Sequence, residues 1–174
     1  MIEYSVFQAG SYWVFKNEIS GMDDSIYIIN SPGHSYWNIS GMEGGQIWEF
    51  YNVVYAGSLF QDALVYPSEY DMVFRNGFYY EEQIPCLMAA SFQPGYIQED
   101  ILYSFKNLGY FDSLEINNKM FYNVIHTQWQ KTPNSGDTTT ADYFIAKSIG
   151  FIKLSLKENK HDTTWTLLSY HVYQ

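Results

Sequence analysis

The chain has 174 residues with 19 acidic and 9 basic side chains, a formal net charge of −10, and it is 20% aromatic, with 17 Tyr, 12 Phe and 5 Trp. Its length suits one domain over residues 1–174, and 47% hydrophobic residues exclude an acidic disordered tail. The charge argues against nucleic acid and anionic membrane surfaces as partners, since these need clustered cations and no Lys/Arg cluster stands in the sequence.

No run approaches the ~18 apolar residues of a helical membrane span. Cys86 is the single cysteine, which removes an intrachain disulfide and a cysteine-built metal cluster. Its neighbours, Pro85 and Leu87-Met88-Ala89-Ala90, mark it as a small buried hydrophobe and not a reactive thiol.

Along the chain the period is that of strands. Ser11–Glu18 and Ser25–Asn30 flank the loop Ile19–Asp24, and Ser31-Pro32-Gly33 is a turn signal. Ser35–Ile39 and Gln46–Tyr55 are strands around the glycine-rich stretch 40–45, followed by the shorter candidates Ala63–Tyr66, Met72–Phe74, Phe78–Tyr80 and Leu87–Phe92. Residues 97–108 read two ways. Ile97, Ile101, Leu102, Phe105 and Leu108 fit a helical stripe that Gly109 would cap. Ile97, Ile101, Tyr103 and Phe105 equally fit one face of a strand, and the β flanks favour that reading.

The second half is more regular. Tyr110–Ile116 and Lys119–Gln130 form a hairpin about Asn117-Asn118, because asparagine tolerates the positive φ of a primed two-residue turn. Residues 131–140 are a polar surface loop. Ala141–Lys147 is a strand, and Gly150 permits the turn or bulge after it. Phe151–Tyr173 is a final hairpin, with Ile152, Leu154 and Leu156 inward on one strand and Leu168, Tyr170 and Val172 inward on the other. The expected fold is mostly β: a single antiparallel domain, as a curled sheet, open half-barrel or sandwich, with one short helix near 97–108 under the helical reading.

The aromatic content has two readings. Flat rings pack well on a pleated surface, so it fits a sheet with many cross-strand aromatic pairs. It equally fits an aromatic platform for a ligand such as a sugar. Trp13, Trp129 and Trp165 lie inside strands and are expected in the core, while Tyr36, Trp37 and Trp48 beside the glycine-rich stretch are the candidates for exposed rings.

Catalytic chemistry finds little footing. His34, His126, His161 and His171 are too scattered for a zinc site, although neighbouring strands would let His126 and His171 pair. There is no Gly-x-Ser-x-Gly elbow. The adjacent carboxylates Glu81-Glu82 and Glu99-Asp100 point to opposite faces if extended, which argues against a glycosidase pair. Asp23, Asp24 and Asp137 sit in predicted loops without the spacing of an EF-hand. No glycine-rich loop leads into a helix, so nucleotide binding has no support. No catalytic residue, cofactor or metal site is assigned, and the ligand-binding residues stay open.

Four fragments in order carry a resemblance. Phe7-Gln8-Ala9-Gly10-Ser11-Tyr12-Trp13-Val14-Phe15, Lys119-Met120-Phe121-Tyr122-Asn123-Val124-Ile125, Tyr143–Lys153 and Trp165-Thr166-Leu167-Leu168-Ser169-Tyr170-His171-Val172 resemble segments of small Bacteroidetes cell-envelope lipoproteins. In that family's late hairpin a Gly stands where this chain has Ser148, and the stretch 56–109 resembles it least. The resemblance implies an antiparallel curled sheet, export, and a lipid anchor upstream of the given sequence. No cysteine stands near Met1 to carry such an anchor. If Met1 is the true start, the expected location is the cytoplasm.

The expected function is therefore a non-catalytic binding or accessory module of the cell envelope, periplasmic or on the outer surface. Its partner would be a small apolar molecule, a glycan or an envelope protein. The alternatives are a structural or protein-interaction domain of a surface complex and an envelope glycan hydrolase.

Overall fold

Alternation of apolar and polar residues becomes strand after strand in the computed structural model, which describes residues 2–30, 33–38, 47–57, 63–67, 71–76, 86–91, 97–99, 103–131, 139–158 and 161–174. A four-residue helix, α1 (Ile2–Ser5), opens the chain. The first half holds β1 (Tyr12–Asn17), β2 (Asp23–Ile28), β3 (Gly33–Asn38), β4 (Ile47–Gly57), β5 (Ala63–Pro67), β6 (Asp71–Asn76) and β7 (Cys86–Ser91). The second half holds β8 (Ile97–Glu99), β9 (Tyr103–Ile116), β10 (Lys119–Lys131), β11 (Thr139–Ala146), β12 (Gly150–Glu158) and β13 (His161–His171).

All thirteen join one antiparallel sheet in the order β7-β6-β5-β4-β2-β1-β13-β12-β11-β10-β9-β8, with β3 paired to β4 off that path. The first and last long segments of the chain, β1 and β13, thus meet in the middle of the sheet. The sheet curls into a half-barrel. Its terminal strand β7 lies against β9 and β10 near the other end of the order, and α1 touches both β5 and β12 across the strands between them.

The face turned toward α1 carries the core. Phe7, Trp13, Phe15, Ile26, Tyr55, Phe105, Ile125, Ile145 and Phe151 are fully buried there. Trp13 packs edge-on against Phe7 at 5.1 Å and stacks on Tyr55 at 5.9 Å, and Tyr55 meets Phe151 edge-on at 6.2 Å. Each such ring contributes roughly 1.5–3 kcal/mol by leaving water. Trp129 and Trp165 pack partly buried against the same core.

Hairpins 11–30, 110–130 and 151–173 stand where the sequence places them. Asn117 and Asn118 both take positive φ, 50° and 60°, as a primed turn requires. Two expectations change, and the segment that read two ways takes the form its β flanks favour. Residues 97–108 are strand, not helix, where described: Phe105 pairs with Trp129 and Lys106 with Gln128, so partners across the sheet override the helical stripe. Asp23 and Asp24 belong to β2 and not to a loop. On β13 the buried residues are Thr166 and Leu167, while Leu168 and Tyr170 are exposed; only Val172 of the expected face packs on the core. A β-bulge displaces Leu168: Val14 pairs with Ser169 but Phe15 pairs with Leu167, which leaves Leu168 unopposed, whereas Tyr170 beyond it pairs with Trp13 and keeps the expected face although its ring is exposed.

Candidate interaction surface at the aromatic end of the sheet

One end of the sheet is built around the N-terminal segment. β10 runs past the end of β11, and β13 runs past its pairing with β12, so the turn 147–149 lies recessed between them. The N-terminal segment occupies that recess. The Ser148 amide donates to the Glu3 carbonyl at 2.7 Å, the Gln8 amide donates to the Tyr173 carbonyl at 2.8 Å, and the Tyr55 hydroxyl donates to the Ser5 carbonyl. Lys147 pairs with Glu3 at 2.8 Å, and that contact raises the lysine's pKa. Across the recess the Lys119 ammonium donates to the Leu168 carbonyl at 2.8 Å, using the acceptor that the bulge leaves open. Trp13 donates its indole N–H to the Ile149 carbonyl.

Two tyrosines are locked beneath this end. Burial pushes the Tyr4 hydroxyl well above its usual range, helped by its hydrogen bond to Tyr110. Burial alone pushes Tyr55 well up. Tyr110 donates in turn to the Asn123 side chain at 2.6 Å.

Above that floor lies a belt of exposed apolar side chains. Of the thirteen large hydrophobic residues exposed in the described structure, ten belong to this end; Ile19 and Met22 lie at the opposite end, and Leu108 between. Tyr27, Tyr12 and His171 stand in register on neighbouring strands, with Tyr12 stacked on His171 at 6.0 Å and Tyr173 edge-on to His171 at 4.5 Å. Tyr122 is the most exposed of the belt's rings, at 62%, and Met120 lies beside it at 49%. Partners directly opposite in a sheet share a face. Tyr170, opposite Trp13, and Tyr110, opposite Ile125, therefore lie on the inner face, whereas Tyr12 and Tyr27 lie on the outer one. Leu168 sits on the bulge, and Ile29 follows the end of β2.

A second cluster crosses the outer face of β9 to β12. The His126 ring lies between Phe144, at 4.1 Å, and Phe111, at 6.5 Å, both nearly parallel to it, and the Lys153 ammonium sits 5.7 Å from the Phe144 ring. Phe111 folds its ring over Gly109, the residue paired with His126, and so supplies the surface that glycine lacks. Nε2 of His126 is 3.0 Å from Asp142, which also accepts from Gln128 at 3.2 Å. The His126 hydrogen bond holds the Asp142 carboxyl below its usual range against the opposing effect of burial. A His–Asp pair is part of a hydrolytic triad, but its nucleophile must touch the imidazole. The neighbouring hydroxyls of Ser155 and Thr164 bond to each other. This cluster is a packed ladder of rings that braces four strands.

The histidine pair that neighbouring strands would have allowed does not form. β10 and β13 are separated by β12 and β11, so His126 and His171 lie on strands that are not neighbours. His161 and His171 begin and end a single strand. Among the described residues no three His, Cys, Asp or Glu side chains gather as a metal site. Asp23 pairs with Lys16 at 3.2 Å, and Asp24 accepts the Trp165 indole N–H at 2.6 Å, so both carboxylates have partners within the sheet. Trp37 and Trp48 occupy facing register positions on β3 and β4. Their side chains, and those of His34, Tyr36, Cys86, Glu99 and His161, lie outside the described residues, as do the whole of Phe78–Tyr80, Glu81-Glu82, Asp100, Asp137 and the glycine-rich stretch. The sequence reading placed exposed rings there and missed the belt. Its signal was present in Tyr12-Trp13 and Phe121-Tyr122, where a ring inside forces its neighbour outside.

No protein-family model, curated protein or solved structure matches the chain.

Proposed function

We propose that the chain is a non-catalytic binding or accessory module of the cell envelope, and that it meets its partner with the aromatic end of the sheet. The observation that carries this reading is the concentration of exposed large apolar side chains at that end. Scattered exposed hydrophobics are ordinary, whereas a contiguous collection is characteristic of contact surfaces. The described inner face supports a surface role over an enclosed cargo site, because Tyr4, Phe7, Trp13, Tyr55 and Phe151 fill it. The resemblance to envelope lipoproteins supports the location, and the apolar, glycan and peptide classes of partner all accept tyrosine-rich contacts.

The test is co-sedimentation of the purified chain with a cell-envelope fraction. Wild type and the other-end variant Ile19→Ser/Met22→Ser are expected to sediment alike, and Tyr12→Ser/Tyr122→Ser/Tyr173→Ser to stay in solution. Equal sedimentation of all three would reject the aromatic end as the contact surface.

A further inference from the structure

We infer that the partner of the aromatic end is a lipid bilayer of neutral or zwitterionic headgroups, which the end of the sheet enters rim-first to interfacial depth. The inference rests on the reading of that end as the contact surface and names what it contacts.

The distribution of the rings distinguishes the partner. Tyr12 and Tyr27 project from the outer face, Tyr170 and Tyr110 from the inner face, and Tyr173 follows the last strand, all at one end of the sheet. A glycan stacked on the sheet or a folded protein docked against it uses one face. A planar interface approached end-on meets both faces at the same height, as aromatic girdles do on proteins that sit in membranes. Side-chain chemistry agrees: tyrosine combines an apolar body with a wet hydroxyl, the combination favoured at the headgroup level, and Met120, Leu168 and Ile29 add aliphatic surface without charge.

Charge selects the lipid. Attraction to anionic headgroups needs free cations at the surface. Of the two described lysines that bond at this end, Lys147 is ion-paired with Glu3, and Lys119, bonded to the Leu168 carbonyl, leaves a single uncompensated cation. Asp112 and Glu115 of β9 lie exposed beside the belt, and the whole chain carries −10. Anionic headgroups are thereby repelled, and a bilayer without net charge accepts the rings without that penalty.

The experiment is sedimentation of the full chain with protein-free phosphatidylcholine vesicles, repeated with phosphatidylglycerol mixed in. The wild-type chain is expected to bind the zwitterionic vesicles, to bind the mixed ones several-fold less at low salt, and to regain binding as salt is added. Loss of three rings in Tyr12→Ser/Tyr122→Ser/Tyr173→Ser is expected to lower binding at least about tenfold, while Ile19→Ser/Met22→Ser binds as wild type. An unchanged melting temperature shows that the variants remain folded. Tighter binding to the anionic vesicles overturns the headgroup assignment. If wild type ignores vesicles yet still binds the envelope fraction through its rings, the lipid inference fails and the contact surface stands; if the rings matter to neither, both fail.

Discussion

At Gly150 two constraints coincide. The residue takes φ +88°, which L side chains rarely adopt, and a Cβ there would stand 3.1 Å from the Phe7 ring and 3.2 Å from the Trp13 ring. Gly21 shares the positive φ, +70°, but nothing lies within 4 Å of its Cβ position. Gly150→Ala is therefore expected to cost about 2–4 kcal/mol, strain plus displaced aromatic packing, and Gly21→Ala only about 1 kcal/mol. Urea denaturation of the two variants reads the difference directly, and equal losses would mean that the rings yield freely. Asp142 gives a pH-dependent counterpart. Its folded pKa is lowered, first by the His126 hydrogen bond, so its contribution is fully present above the ordinary carboxylate range, about pH 4, and is lost as pH falls through the lowered value. Acid titration of stability should show the gap between wild type and Asp142→Asn closing below about pH 4. A gap that stays constant in acid would remove the carboxylate's charge from the account.

The β9–β10 hairpin shows what is legible at the scale of an element. Its turn is written in two asparagines, both found at positive φ. Asn118→Gly is expected to leave stability unchanged or slightly raised, whereas Asn118→Val should lower it by about 1–2 kcal/mol, because a β-branched residue resists that conformation. Thermal unfolding of the pair checks this, and tolerance of valine would show that the turn does not set the register. Period-two alternation likewise gave the inward Ile152 and Leu154 of β12. It failed at Leu168 on β13 because an extra residue between two pairs leaves no local trace, while Tyr170 and Val172 beyond it lie on the expected face. It was ambiguous at 97–108 because the decision belongs to β10, which pairs with β9 along its length. Propensity cannot report a partner that lies elsewhere in the sequence.

For the whole molecule the decisive contact joins the chain's two ends. β1 pairs with β13, and the N-terminal segment before β1 is bonded to the last residues through Gln8 and Tyr173. Tyr12 and Tyr122 could be read as outward from the rings beside them, but the gathering of the exposed tyrosines at one end follows from this distant pairing, which is why the candidate site was illegible while most of its strands were not. The same arrangement makes a short N-terminal segment part of the core. Phe7 lies beyond a four-residue helix, outside any strand, and yet is fully buried against Trp13 and over Gly150. Local structure would assign it a frayed terminus of little consequence; packing assigns it the value of a central core ring. Phe7→Ala is accordingly expected to cost about 3–5 kcal/mol. Glu3→Ala, which removes only a solvent-exposed ion pair with Lys147, should leave stability close to that of wild type. Because β1 and β13 must close a loop of nearly the whole chain, their pairing carries a large entropic cost and is expected late in folding. The loss in Phe7→Ala should then appear mainly as faster unfolding, with the refolding rate nearly unchanged. Stopped-flow measurement of both rates decides the matter: a slowed refolding limb would place the N-terminal segment in the folding nucleus and make the meeting of the chain's ends an early event.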